Sequence, residues 1–192
     1  MKKIGIDPGH GGKDRANRGL TGYIEADGVL DISKHCANHL LENGYEITMT
    51  RERDETLSLR TRADILNKAQ VDIAVSIHSN ATGDYKVRGV ETIHSINQNS
   101  PGKKLARIIY DRLHNDLGLP GRRVFSRESE TNPGTDYYGI IKHTAMPCVI
   151  VEVEFHSNPK AEALLKDPDF RKRAGVSIAE GIMEFREVSG ND

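Results

Sequence analysis

The stretch Val71-Asp72-Ile73-Ala74-Val75-Ser76-Ile77 is nearly continuous in apolar, mostly β-branched residues, and no other part of the chain constrains the fold as strongly. A strand with one wet face alternates polar and apolar residues, whereas an unbroken apolar run marks a strand covered on both faces, as in a parallel sheet flanked by helices. Pro147 introduces a second such run, Cys148 to Phe155, and Lys3-Ile4-Gly5-Ile6 is a shorter one. Between them lie helical patterns. Val29, Ile32, Ser33, Cys36, Ala37, Leu40 and Leu41 form an apolar arc over residues 26–43, and Gly44 supplies a left-handed stop. Residues 57–68 carry Leu59, Ala63 and Leu66 on one face, and further helices are predicted over 102–117, 160–166 and 168–186. Residues 45–50 and 87–96 read as strands, the latter with a bulge at Gly89. The polar, aperiodic segment 121–140 reads as a long surface loop of the kind that often carries function. Strands alternating with helices predict a single α/β domain with an open, mostly parallel sheet and helices on both faces.

Composition narrows the function. The 192 residues suit one domain with a substantial core, and 27 basic against 28 acidic side chains give no charge excess toward nucleic acid or an anionic membrane. No apolar run approaches the roughly 18 residues of a membrane span, so insertion is not expected. The first strand begins almost at the amino terminus, so no signal peptide is expected. Cys36 and Cys148 stand in apolar contexts far apart and read as buried free thiols.

Several polar groups do not belong where they stand. After the first strand, Asp7-Pro8-Gly9-His10-Gly11-Gly12-Lys13-Asp14 stops the chain abruptly and leaves His10 on a loop at the strand's carboxyl end, where open α/β sheets form their crevices. His78-Ser79-Asn80 ends the third strand, and Glu152 and Glu154 interrupt the last. All carboxyl ends of a parallel sheet share one edge, so these residues can converge there, and Glu25 at the first helix can reach the same edge. Two histidines and a carboxylate suffice for a catalytic zinc site with one open position. Glu25 alone is equally explained by the positive end of a helix. The two strand glutamates are harder to dismiss, because a buried strand rarely carries ionised groups unless they are paired, metal-bound or catalytic. They stand about 6–7 Å apart at ordinary strand rise, too far to serve one water together.

Other histidines compete. His35 and His39 share one helical face, but opposite the apolar arc, and are expected to be solvent-exposed; no Glu follows His35 as a zincin motif requires. His143 and His156, near the ends of the last strand, remain able to line a site. Gly11-Gly12-Lys13 is not a phosphate loop, since Asp7 and Asp14 occupy its required glycine and hydroxyl positions.

Together these residues resemble the zinc-dependent N-acetylmuramoyl-L-alanine amidases of the amidase-3 type, a family of bacterial wall hydrolases and phage endolysins. The likeness runs through Ile6 to Gly12, Glu25, Thr50-Arg51 with Asp54, then Leu59, Arg62 and Asn67, Ser76 to Asn80, and Pro147 through Glu152 to Asn158. It implies a six-stranded sheet, one Zn2+ per chain bound by His10, Glu25 and His78, and Glu152 as the catalytic carboxylate. One departure stands out: where the family usually has a small residue, this chain has Glu154, which is expected to find an arginine, a backbone donor at the loop rim or solvent at the strand's end, and to support the site or contact substrate.

The implied reaction is hydrolysis of the amide between N-acetylmuramic acid and the L-alanine of the stem peptide, with peptidoglycan as the partner. Residues 1–187 are expected to form the catalytic domain and 188–192 a tail or the start of a linker, acting as a monomer. Asn80, Arg122, Arg123 and Arg127 are candidates for substrate contact or support. Made in the cytoplasm without a leader, the protein is expected to act on the wall as a phage-type lysin or a mother-cell lytic enzyme. Two rival readings stand beside this one: a zinc peptidase cutting within the stem peptide, and an inactive wall-binding module.

Overall fold

The computed structural model describes residues 3–97 and 99–189. Its elements, in chain order, are β1 (Lys3–Pro8), α1 (Glu25–Glu42), β2 (Glu46–Met49), α2 (Leu59–Ala69), β3 (Ile73–Asn80), β4 (Val90–Ile93), α3 (Gly102–Leu117), β5 (Gly121–Phe125), α4 (Gly139–His143), β6 (Cys148–Phe155), α5 (Pro159–Lys166) and α6 (Pro168–Ser189). Six strands form one sheet in the order β2-β1-β3-β6-β4-β5. The first four strands of that order run parallel, β4 is antiparallel to β6, and β5 runs parallel to β4.

The apolar runs form the centre. β1, β3 and β6 are buried along nearly their whole length, as unbroken apolar strands require. One face packs against α1, α3, α5 and α6 through Val29, Ile32, Leu105, Ile109, Ile178 and Phe185; the smaller cluster on the other face joins α2 and α4 through Ala63, Leu66, Ile140 and Ile141. Cys36 and Cys148 are free and buried, and burial pushes the Cys148 thiol up to about 12.

Three expectations need correction. The segment 121–140 is not one loop: it opens with strand β5 and ends in helix α4. β5 is an edge strand whose Arg122 and Arg123 are exposed, so it lacks the alternation that marks a half-buried strand. His35 and His39 do not point freely into solvent. α6 packs across the flank of α1, leaving both half-buried, with His39 Nε2 2.7 Å from Glu180. Leu59 does not share the buried face of Ala63 and Leu66; it is exposed and lies against Gly139 of α4. At the carboxyl end α6 runs through Ser189, so residues 188–189 of the expected tail are helical, and 190–192 lie outside the described residues.

Candidate metal centre

Parallel β1 and β3 bring the His10 loop to the end of β3 that carries His78. Gly9 donates its N–H to the Ile77 carbonyl (3.0 Å), which continues the ladder one step past Pro8 and lays the loop along His78. A Cβ at Gly9 would land on the His78 imidazole, so only glycine lets the backbone pass there. His10 itself adopts φ +57°, a left-handed conformation rare for residues with a side chain and frequent at functional sites.

Glu25 opens α1 and is fully buried. Its Oε1 lies 3.3 Å from His10 Nε2 and 3.2 Å from His78 Nδ1, and accepts the Ser79 N–H at 2.9 Å. The two imidazoles meet edge to face with ring centroids 5.0 Å apart. One donor atom from each of His10, Glu25 and His78 falls within 4.8 Å of the others. Asp14 Oδ2 accepts a hydrogen bond from His10 Nδ1 at 2.8 Å, which turns Nε2 toward Glu25; a carboxylate behind a histidine is the usual outer partner of a metal ligand.

The electrostatics are those of one carboxylate shared by two imidazoles. Burial opposes the charge on Glu25, but the hydrogen bonds and charges of His10 and His78 hold it well below the usual carboxylate range. Burial likewise disfavours the His10 imidazolium, yet Glu25 and Asp14 outweigh it and raise the group to about 9. His78 is raised too: Glu25 and Glu152 overcome its desolvation.

Glu152 lies beside this cluster. Across the sheet, His78 is the register partner of Glu152, Glu152 of Glu91, and Glu91 of Arg123, a row spanning β3, β6, β4 and β5. Glu152 Oε2 is buried and accepts no hydrogen bond among the described residues. Burial raises this carboxyl, and although His78 opposes the effect, it settles at about 7. A half-buried carboxylate with one buried, unpartnered oxygen, beside two imidazoles and a second carboxylate, fits a cation and a water between them.

Glu154 is solved differently. It is fully buried, and Arg88 donates to its Oε2 from Nη2 (2.8 Å) and Nε (3.1 Å), while the Gly89 N–H binds Oε1. Here the ladder slips: His78 pairs with Glu152 but Asn80 with Phe155, so β6 carries one extra residue between them. Glu154 therefore serves the 81–89 loop. The arginine and the backbone donor expected for it are both present.

The remaining candidates divide. Arg122 and Arg123 each donate Nε to Glu91 Oε1 (2.9 and 3.0 Å), and Asn80 donates Nδ2 to Glu91 Oε2 (3.1 Å). These three residues brace the wall beside Glu152. Arg127 stacks 3.8 Å over the ring of the exposed Tyr137, which meets Tyr138 edge to face. His156 stands behind the ligands, with Nδ1 4.0 Å from Glu25 Oε2 and 3.0 Å from Ser79 Oγ. His143 closes α4 and is not part of the three-residue cluster. Glu91, a fully buried carboxylate, went unremarked in the sequence; the anomaly that marks Glu152 and Glu154, an acid inside an apolar strand, was visible there too. Glu162 was also missed. It accepts the Thr21 and Tyr23 N–H groups, and it pins the segment leading to Glu25.

Comparison with known proteins agrees with this geometry. Residues 4–184 match the family model described as N-acetylmuramoyl-L-alanine amidase. The germination-specific N-acetylmuramoyl-L-alanine amidase of Bacillus subtilis is 28% identical over 99% of this chain and 82% of its own length. The endolysin of Bacillus phage SPP1 is 33% identical over 96% of this chain and 66% of its own length. Among solved structures, the catalytic domain of the amidase CwlV from Bacillus (Paenibacillus) polymyxa superposes with a TM-score of 0.85 at 32% identity, covering 98% of this chain and 99% of that one.

Proposed function

Because this chain belongs to the N-acetylmuramoyl-L-alanine amidase family and is a peptidoglycan hydrolase of that kind, we propose that one zinc ion held by His10, Glu25 and His78 and one proton carrier, Glu152, perform the cleavage. The donor set supports zinc: two imidazole nitrogens and a carboxylate oxygen with a position left open. When bound, zinc supplies Lewis-acid polarisation of the scissile carbonyl and lowers the pKa of water to about 7.

The chain's own residues do the rest. Glu152 takes the proton of the attacking water and returns it to the departing alanine nitrogen, a role typically worth ~10²–10⁴-fold. The amide nitrogen is a poor leaving group until it receives that proton. The single observation that carries the assignment is the buried, unpartnered Oε2 of Glu152 in register with His78. Asp14 orients His10, and the Ser79 N–H orients Glu25. Arg122, Arg123 and Asn80 hold Glu91 and so support the strand beside Glu152. Arg127, stacked on Tyr137 and paired with the exposed Glu130 (3.0 Å), is the guanidinium that would exchange that partner for a carboxylate of the stem peptide.

The catalytic domain takes in residues 1–187, its last helix running on to Ser189, and works as a monomer, all three proposed metal ligands coming from one chain. The wall is its place of action, in the setting of a phage-type lysin or a mother-cell lytic enzyme. Mass spectrometry of purified wall digested by the protein tests the reading. Stem peptides with a free L-alanine amino group, and glycan strands with a free lactyl carboxylate, are the expected products. Cleavage within the stem would reassign the protein as a peptidase, and intact wall would make it a binding module.

A further inference from the structure

Two almost fully buried arginines lie beneath the His10 loop, and buried cations are costly unless their donors are used. Arg51 donates Nε to the Pro8 carbonyl (2.9 Å), Nη2 to those of Gly9 (2.6 Å) and Ala26 (2.7 Å), and Nη1 to Arg53 (3.2 Å). Arg62 donates Nη1 to the Pro8 carbonyl (2.6 Å) and Asp7 (2.9 Å), and Nη2 to the His10 carbonyl (2.5 Å). Three successive carbonyls thus converge on two guanidinium groups. Asp7 is itself committed further, accepting from Thr50 (2.5 Å) and Ser76 (2.6 Å).

The Ala26 contact gives the arrangement its meaning. Ala26 follows Glu25 in the first turn of α1, so a single nitrogen of Arg51 grips both the loop that carries His10 and the helix end that carries Glu25. Gly11 lies close by: at φ +118°, a Cβ there would meet the Glu55 carbonyl at 2.7 Å and Arg51 Nε at 3.1 Å. Lysine, a point donor on a flexible stem, cannot reproduce such a planar grip.

We propose that Arg51, with Arg62 beside it, is a positioning residue for the metal centre, fixing the distance between His10 and Glu25 through their backbones and holding His10 in its left-handed conformation. The proposal rests on the reading of His10, Glu25 and His78 as the zinc ligands.

Zinc affinity of Arg51→Lys and Arg62→Lys, measured by chelator competition, tests it. Cobalt(II) absorption of the substituted proteins and thermal unfolding with and without zinc complete the comparison. Outer partners of metal ligands typically contribute ~10–100-fold in affinity. Arg51→Lys is expected to lose that much, and Arg62→Lys, which leaves the Ala26 contact intact, less but measurably. The cobalt spectrum should change in both, and zinc should raise the unfolding midpoint by less than in the wild type. Should Arg51→Lys fail to fold, Arg62→Lys decides alone. Lower thermal stability with unchanged zinc affinity and cobalt spectrum would overturn the proposal and leave the arginines a merely structural role. Failure of the wild type to bind zinc would overturn it together with the zinc reading.

Discussion

The carboxylates of the sheet's upper edge fall into two regions that contrast sharply. On the β4 side, Glu91 and Glu154 are buried and held by arginines: Arg122 and Arg123 on the first, Arg88 and the Gly89 N–H on the second. Toward β3, Glu25 faces two imidazoles, and Glu152 of β6 leaves a buried oxygen without a hydrogen-bond partner among the described residues. All four gather at one end of the sheet, Glu25 from the start of α1, and Glu152 stands two residues from Glu154. Burial alone does not separate a structural acid from a working one, since Glu25 is as buried as Glu91 and Glu154 while Glu152 is only half-buried. The separation comes from whether fixed donors satisfy the charge or the protein leaves it for a cation and a moving proton.

The largest effect is expected where that second region loses a ligand. His78→Ala should lower zinc affinity beyond the ~10–100-fold attributed to outer partners, read as metal content after dialysis; full retention would move the site elsewhere. Next comes the structural region. Glu154→Gln leaves the half-buried Arg88 against a neutral group, and because that guanidinium still reaches solvent the loss should fall below the about 3–5 kcal/mol of a fully buried pair. Urea unfolding should show that loss, and an unchanged midpoint would contradict the pairing role.

A smaller effect belongs to pH. In the metal-free protein His10 is raised from 6.5 to about 9, so its pairing with Glu25 stabilises fully below the lower value and is lost as pH rises through the higher one. Zinc requires the neutral imidazole, so its apparent affinity should climb by up to about tenfold per pH unit across the same window. Calorimetry in buffers of different ionisation enthalpy should detect the released proton, and pH-independent binding would contradict the His10 assignment.

Much of this contrast was legible in the sequence. β3 and β6 are unbroken apolar runs, so the polar groups at and within them stood out, and topology alone predicted that His10, Glu25 and His78 could meet. β5 was not legible, because an edge strand bearing Arg122 and Arg123 shows neither alternation nor an apolar run. The burial of His35 and His39 was hidden for another reason: periodicity within α1 says nothing of α6 packing across its flank. Arg51 and Arg62 entered only through the family resemblance, since most of their partners are backbone carbonyls, which leave no trace in side-chain pattern.

The central claim is that Glu152, unlike its neighbour two residues away, is the proton carrier. Turnover of purified peptidoglycan by Glu152→Gln and Glu154→Gln, each with its zinc content measured, tests it most directly. The account predicts that Glu152→Gln keeps zinc and loses ~10²–10⁴-fold in rate, while folded Glu154→Gln keeps zinc and a substantial share of the activity. Near-normal turnover by Glu152→Gln, or a zinc-loaded Glu154→Gln as inactive as Glu152→Gln is expected to be, would contradict it.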